Sequence, residues 1–243
     1  MIVNNFIKFT LLTAVRDWLY LGILLLNLAS ISLSLFLGNV TLVEQGYTST
    51  VFIAGAVRMV TIMGLVLFVC FHVRRSFENK EVELLLTRPI TRIQFVLSYF
   101  SGFAVLALSL VLPAIFAIYG LWLGNIIWAN GFGIIYWALS FILETLIVLS
   151  FAFFVSMILS SAVLSVLATF AFYFISRIIG FFLISITNPV STMKSDGFGI
   201  VLEKILEGMS CLLPRLDMFS KSEWLVYGVV DHMQYWIFAS TAF

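Results

Sequence analysis

Residues 132–186 read FGIIYWALSFILETLIVLSFAFFVSMILSSAVLSVLATFAFYFISRIIGFFLISI, and in this stretch only Glu144 and Arg177 carry a charge. A bilayer core about 30 Å thick is crossed by roughly 20 apolar residues in helical form. The stretch holds two such lengths, Phe132 to Leu159 and Ala162 to Ile186, parted by Ser160 and Ser161 alone. Lipid offers no partners for open backbone N–H and C=O groups, so both lengths are expected to be helices. Two serines leave room only for a tight turn, which predicts an antiparallel helical hairpin.

Working outward towards the amino terminus, three more runs meet the same length, Trp18 to Leu37, Val51 to Val73 and Ile93 to Leu123. The last is longer than a straight crossing needs and contains Pro113, which is expected to kink it or mark its outer end. The chain of 243 residues is 62% hydrophobic and 10% charged. Soluble domains stand near 45–50% apolar and about 25% charged, so a soluble fold is excluded and the solvent must be lipid. The fold class is therefore an all-α polytopic membrane protein forming one transmembrane domain over residues 1–243.

With 13 basic and 12 acidic residues the net charge is +1, which gives no general field drawing in nucleic acid. Cys70 and Cys211 stand far apart and read as structural filler, without the spacing of a disulfide framework or a metal site. The amino-terminal MIVNNFIKFTLLTAVRDW lacks the short apolar core and small-residue cleavage site of a secretory signal, so the first span is expected to be retained.

Basic residues in short loops set orientation. Lys8 and Arg16 precede the first span, and Arg74, Arg75, Lys80, Arg88 and Arg92 join the second to the third. The first-to-second loop holds only Glu44, and the third-to-fourth loop holds no charge. The amino terminus is thus expected in the cytoplasm of a multi-pass inner-membrane protein, with residues 187–231 outside. Residues 232–243 end in QYWIFASTAF, about half a span, and read either as the start of a sixth helix cut short or as an interfacial segment anchored by Tyr235 and Trp236.

No G-x-x-x-x-G-K-[ST] occurs, so any ATP that drives this chain is bound by a partner. No H-E-x-x-H or G-x-S-x-G occurs either, and the two histidines, His72 and His232, lie at opposite ends. No catalytic residue, metal or cofactor is expected, and the chain is not read as an enzyme by itself.

The connection at residues 74–92, RRSFENKEVELLLTRPITR, holds 8 of the 25 charged residues. Ser76 can cap a short helix running to Arg88, and Pro89 disfavours helical geometry just before it. On such a helix Val82, Leu85 and Leu86 share one face while Glu78 and Glu81 project elsewhere. Thr91 followed by Gln94 is a capping-box pattern that starts the third span. Two readings remain at this level, a plain topology-setting loop and a rigid elbow that contacts a partner.

Three further features stand out. Residues 1–17 place Ile7, Leu11, Ala14 and Val15 on one side and Thr10, Thr13 and Asp17 opposite, the pattern of an interfacial lead-in helix. Arg58, Glu144 and Arg177 lie inside spans, where an unpaired charge costs at least a few kcal/mol. Counting along the helices puts both arginines in the outer half and Glu144 nearer the middle, so Glu144 can pair with either. They read as a structural ion pair or as a contact for an amphipathic or anionic substrate. In the outer segment Val201, Leu202, Ile205 and Leu206 alternate with Glu203, Lys204 and Glu207, as on an amphipathic surface helix that is either an exit gate or an inert cap.

The elbow residues carry a resemblance. Arg75, Glu78, Glu81, Glu83, Leu84, Leu85, Pro89, Ile90 and Arg92 are similar to the stretch that follows the second helix in type-2 ABC exporter permeases. The lead-in, the long third span, the hairpin and the late Leu213, Pro214, Arg215, Leu216, Asp217 extend the likeness over most of the chain. The resemblance implies a six-helix permease bundle with the sixth helix truncated here. It also implies that the elbow, with Arg88, is a coupling helix docking on a separate ABC ATPase subunit, present in two copies, and that a second permease copy completes a homodimer. A membrane scaffold or assembly factor recruiting partners through the same loop is the other reading.

Overall fold

The computed structural model describes residues 18–40, 45–79, 91–187, 204, 208, 214–219 and 223–228. Five long helices account for most of them: α1 Trp18–Val40, α2 Gln45–Glu78, α3 Arg92–Leu123, α4 Gly131–Ile158 and α5 Ala162–Thr187. One 3-10 turn, Leu216–Met218, and a short α6, Glu223–Tyr227, follow. There is no strand among the described residues. All five long helices are long and apolar enough to cross a membrane, so the molecule is an all-helical polytopic membrane protein.

Local chemistry explains where the helices start and stop. At α3 the Thr91 hydroxyl accepts from the Gln94 N–H at 3.3 Å, and the Thr91 N–H donates back to Gln94 Oε1 at 3.3 Å. This reciprocal box satisfies two of the donors that a helix start leaves open. Asn130 caps α4, its Oδ1 accepting from the Phe132 N–H at 3.1 Å. Between α3 and α4, Asn125 takes a φ of 53°, a left-handed conformation in which asparagine is enriched. The hairpin turn runs through Leu159, Ser160 and Ser161, and the Ser161 carbonyl accepts from the Ser165 N–H at 3.1 Å, the first hydrogen bond of the next helix.

Two expectations about these elements change. Pro113 lies inside α3, which runs on to Leu123, so the proline does not mark the outer end of that helix. Ser76 caps nothing: α2 continues unbroken through Arg74, Arg75 and Ser76 to Glu78, and the connection to α3 begins only at Asn79. Helical propagation is favourable once a helix is established, and nothing in FHVRRSFE breaks it. The lead-in (1–17), the elbow residues 80–90 and the last stretch (229–243) lie outside the described residues.

Burial sets the layout. In the most apolar window of each helix, half the residues of α2 and of α4 are buried inside the protein, against 28% for α1. α2 and α4 are therefore the central pair, with α1, α3 and α5 around them. Polar groups tie α1 to its neighbours: Thr61 Oγ1 on α2 donates to Asn27 Oδ1 on α1 at 3.1 Å, and Tyr20 on α1 donates to Ser109 Oγ on α3 at 3.2 Å. Such contacts suit helices in lipid, where apolar surface gains little by leaving its solvent. Phenylalanines and leucines such as Leu25, Leu33, Phe36, Phe116 and Phe154 stay exposed on the outside.

Part of the segment after α5 is buried in the bundle. Leu216, Phe219 and Leu225 are fully buried and Trp224 nearly so, packed into the end of the bundle remote from Asn79. Of the expected amphipathic helix at Val201 to Glu207, only Lys204 is described, and it is helical and exposed.

Candidate functional site

Two places in the bundle concentrate polar chemistry. The first is buried between α2, α4 and α5. Glu144 on α4 is fully buried, and its two carboxylate oxygens serve different arginines. Oε2 accepts from Arg58 Nη1 at 2.9 Å, and Oε1 accepts from Arg177 Nη1 at 3.2 Å. Sequence reasoning brought these three residues together as possible partners, and the structure joins all three.

Groups that sequence reasoning did not single out complete the cluster. Arg58 Nη2 donates to Ser140 Oγ at 3.0 Å and to the Trp137 carbonyl at 3.4 Å, and Nη1 also donates to the Phe219 carbonyl. The guanidinium carbon of Arg58 lies 5.3 Å from the Trp137 ring and 5.4 Å from that of Phe141. Arg177 Nη1 donates to Tyr173 Oη, which in turn donates to Met59 Sδ at 3.6 Å. Ser140 stands four residues before Glu144 and Tyr173 four before Arg177, so helical spacing alone carried a signal for both. The Phe219 carbonyl is a backbone group and left none.

Arg58 is 1% exposed, whereas the Arg177 side chain retains 20%. A buried carboxylate held by two guanidiniums is stable only when its remaining hydrogen bonds are met, and both Glu144 oxygens are met here. One turn beyond Arg177, Gly180 leaves space for the Asp217 side chain, which also pairs with Arg215 at 3.1 Å. The 3-10 turn thus enters through a notch that only glycine provides.

The second place is the end of the bundle where α2 finishes and α3 begins. His72 stacks on Phe68 at 5.3 Å and meets Phe103 edge-on at 5.6 Å. Tyr99, Phe103 and Phe153 close the group with ring centroids 5.0–5.9 Å apart. Tyr99 Oη donates to Ser76 Oγ at 3.0 Å, tying the first turns of α3 to the last turn of α2. Above this cluster Arg74 and Glu78 form an exposed ion pair at 2.8 Å. An open cleft of about 600 Å³ runs from Arg74, Arg75 and Glu78 to the turn at Ser160 and Ser161.

Of the coupling residues read from the sequence, Arg75 and Glu78 are on the last turns of α2 and exposed, and Arg92 is the first residue of α3. Glu81, Glu83, Leu84, Leu85, Arg88 and Pro89 lie outside the described residues. Among the described residues no three His, Cys, Asp or Glu side chains gather in a way that would hold a metal ion.

No family model, curated protein or solved structure matches this chain. The buried cluster fixes α2, α4, α5 and the turn after α5 to one another. The aromatic cluster fixes α2, α3 and α4 at the opposite end. α2 and α4 take part in both, which makes them the rigid axis between the two places.

Proposed function

We propose that this chain is the membrane-spanning permease subunit of an ATP-driven exporter of the type-2 ABC kind. In this reading it sits in the inner membrane with its amino terminus in the cytoplasm, pairs with a second copy of itself, and is driven by two copies of a separate ATPase. The ATPase would seat on the connection between α2 and α3. The observation that supports this most is the bracing of that connection. Both of its stems are fixed, one by the Ser76 to Tyr99 hydrogen bond and the aromatic cluster below it, the other by the Thr91 capping box. A loop that only sets topology needs no such bracing, whereas a lever does, because force applied at a frayed connection dissipates before reaching the spans.

Pull-down of the tagged chain from detergent extract, with ATP hydrolysis assayed in the eluate, tests the proposal. The native chain is expected to bring down an ATPase activity. The double charge reversal Glu81→Lys, Glu83→Lys is expected to abolish that activity in the eluate or to separate it from transport. An eluate without hydrolysis from the native chain, or a reversed variant that still couples, contradicts the proposal.

A further inference from the structure

Among the described residues the buried cluster carries an excess of positive charge: two guanidiniums, Arg58 and Arg177, face one carboxylate, Glu144, while Arg215 and Asp217 nearby pair with each other. An excess charge in a low-dielectric interior is expensive, and a retained one marks a place where an opposite charge is supplied. Arg177 is where that charge is accessible. Its Nη1 serves Glu144 and Tyr173, while Nε and Nη2 have no partner among the described residues, and the side chain is the one member of the trio with appreciable exposure.

The surface leading to Arg177 is apolar and half-open. Phe170 and Phe174 lie four and three residues apart along α5 from each other and from Arg177, so all three form one stripe. Both rings are partly buried against the core and stand edge to face at 6.4 Å. Arg177 lies about 22 Å along α5 from Ala162, with the two rings between it and that end. In the proposed orientation the arginine is therefore in the outer half of the bilayer and the rings point the stripe towards the midplane. This is the layout of a lipid-like molecule, head outward and chain inward.

We infer that Arg177 is the seat for the anionic head, carboxylate or phosphate, of an amphipathic molecule whose chain lies along Phe174 and Phe170. A guanidinium suits either head because its fork of donors matches two oxygens at once. As a statement about the exported substrate this rests on the permease reading; as a binding site it does not. The head can belong to an exported amphiphile or to a phospholipid of the bilayer, and both share the chemistry.

The experiment uses the full chain in phosphatidylcholine nanodiscs at alkaline pH, without ATPase or nucleotide. Binding of pyrene-labelled dodecanoate is read by energy transfer from tryptophan and compared with the equally labelled dodecanol. The carboxylate is expected to bind saturably and roughly tenfold or more tighter than the alcohol. Arg177→Gln is expected to erase that difference, and Arg177→Lys to keep part of it. Equal binding of acid and alcohol by the native chain overturns the inference, and that comparison needs no variant to fold. A native-like preference in Arg177→Gln overturns it too. Phosphatidylglycerol in the disc that displaces the probe assigns the seat to a membrane lipid, and probe binding indifferent to it assigns the seat to an exported amphiphile. Because no ATPase is present, loss of the seat leaves the pull-down result standing, and loss of the ATPase leaves the seat standing.

Discussion

Glu144 is the residue on which most of the buried polar network converges. Replacing it by glutamine removes the negative charge while leaving Arg58 fully enclosed with a partner that cannot neutralise it. Breaking a buried pair in this way is worth about 3–5 kcal/mol, so Glu144→Gln should unfold at a clearly lower temperature in detergent. The combined replacement Arg58→Met, Glu144→Leu, Arg177→Met removes every charge at once and should recover much of that loss. A triple variant no more stable than Glu144→Gln would show that the network does more for the fold than cancel its own desolvation. The pairing was legible in the sequence, because three ionisable residues inside apolar runs have few places to find partners. Its hydrogen-bonded surroundings were only half legible: Ser140 and Tyr173 stand one turn from charged residues, but the Phe219 carbonyl comes from a distant polar segment and has no side-chain signature.

At the scale of elements, length and apolarity disclosed the five long helices, and Thr91 with Gln94 disclosed a helix start. Thr91→Ala removes one arm of that box and should cost about 1 kcal/mol, read as a lowered midpoint of thermal unfolding. What periodicity could not disclose is the entry of Leu216 to Phe219 and of Trp224 and Leu225 into the bundle. These pieces are too short to register as spans, and their sequence is mixed. Their places are kept by glycines in long apolar helices, where a glycine has many possible causes. Gly133 is the clearest: a Cβ there would overlap the Trp224 carbonyl and come within 3.3 Å of the Leu225 Cα, both backbone groups that cannot swing aside. Gly133→Leu should therefore expel α6. In a chain carrying Cys70→Ala and Cys211→Ser, a cysteine placed at Leu225 should resist a membrane-impermeant maleimide and become reactive once Gly133→Leu is added. Protection that survives the glycine replacement would mean that α6 is held by other contacts.

Taken whole, the molecule is two polar or aromatic knots at opposite ends of a lipid-facing bundle, joined by α2 and α4. The aromatic knot binds α2, α3 and α4 through Phe68, Tyr99, Phe103 and Phe153, and packed interiors respond to force by moving as units rather than by deforming continuously. If the connection after Asn79 is the point at which an ATPase pushes, the three helix ends should travel together. Spin labels at the exposed Phe77 and Leu97, and at Phe77 and Phe154, report the distances within one copy. In the proposed complex of two copies with an ATPase, adding a non-hydrolysable ATP analogue should leave both distances unchanged while the distance between the Phe77 labels of the two copies shifts. The internal pairs act as the control for rigid-body motion, because each crosses from α2 to a helix of the same knot. Should the Phe77 to Leu97 distance itself change by several ångströms, the stems would be hinging rather than transmitting. The Ser76 to Tyr99 hydrogen bond would then be a latch, and Tyr99→Phe should make the same opening occur without nucleotide.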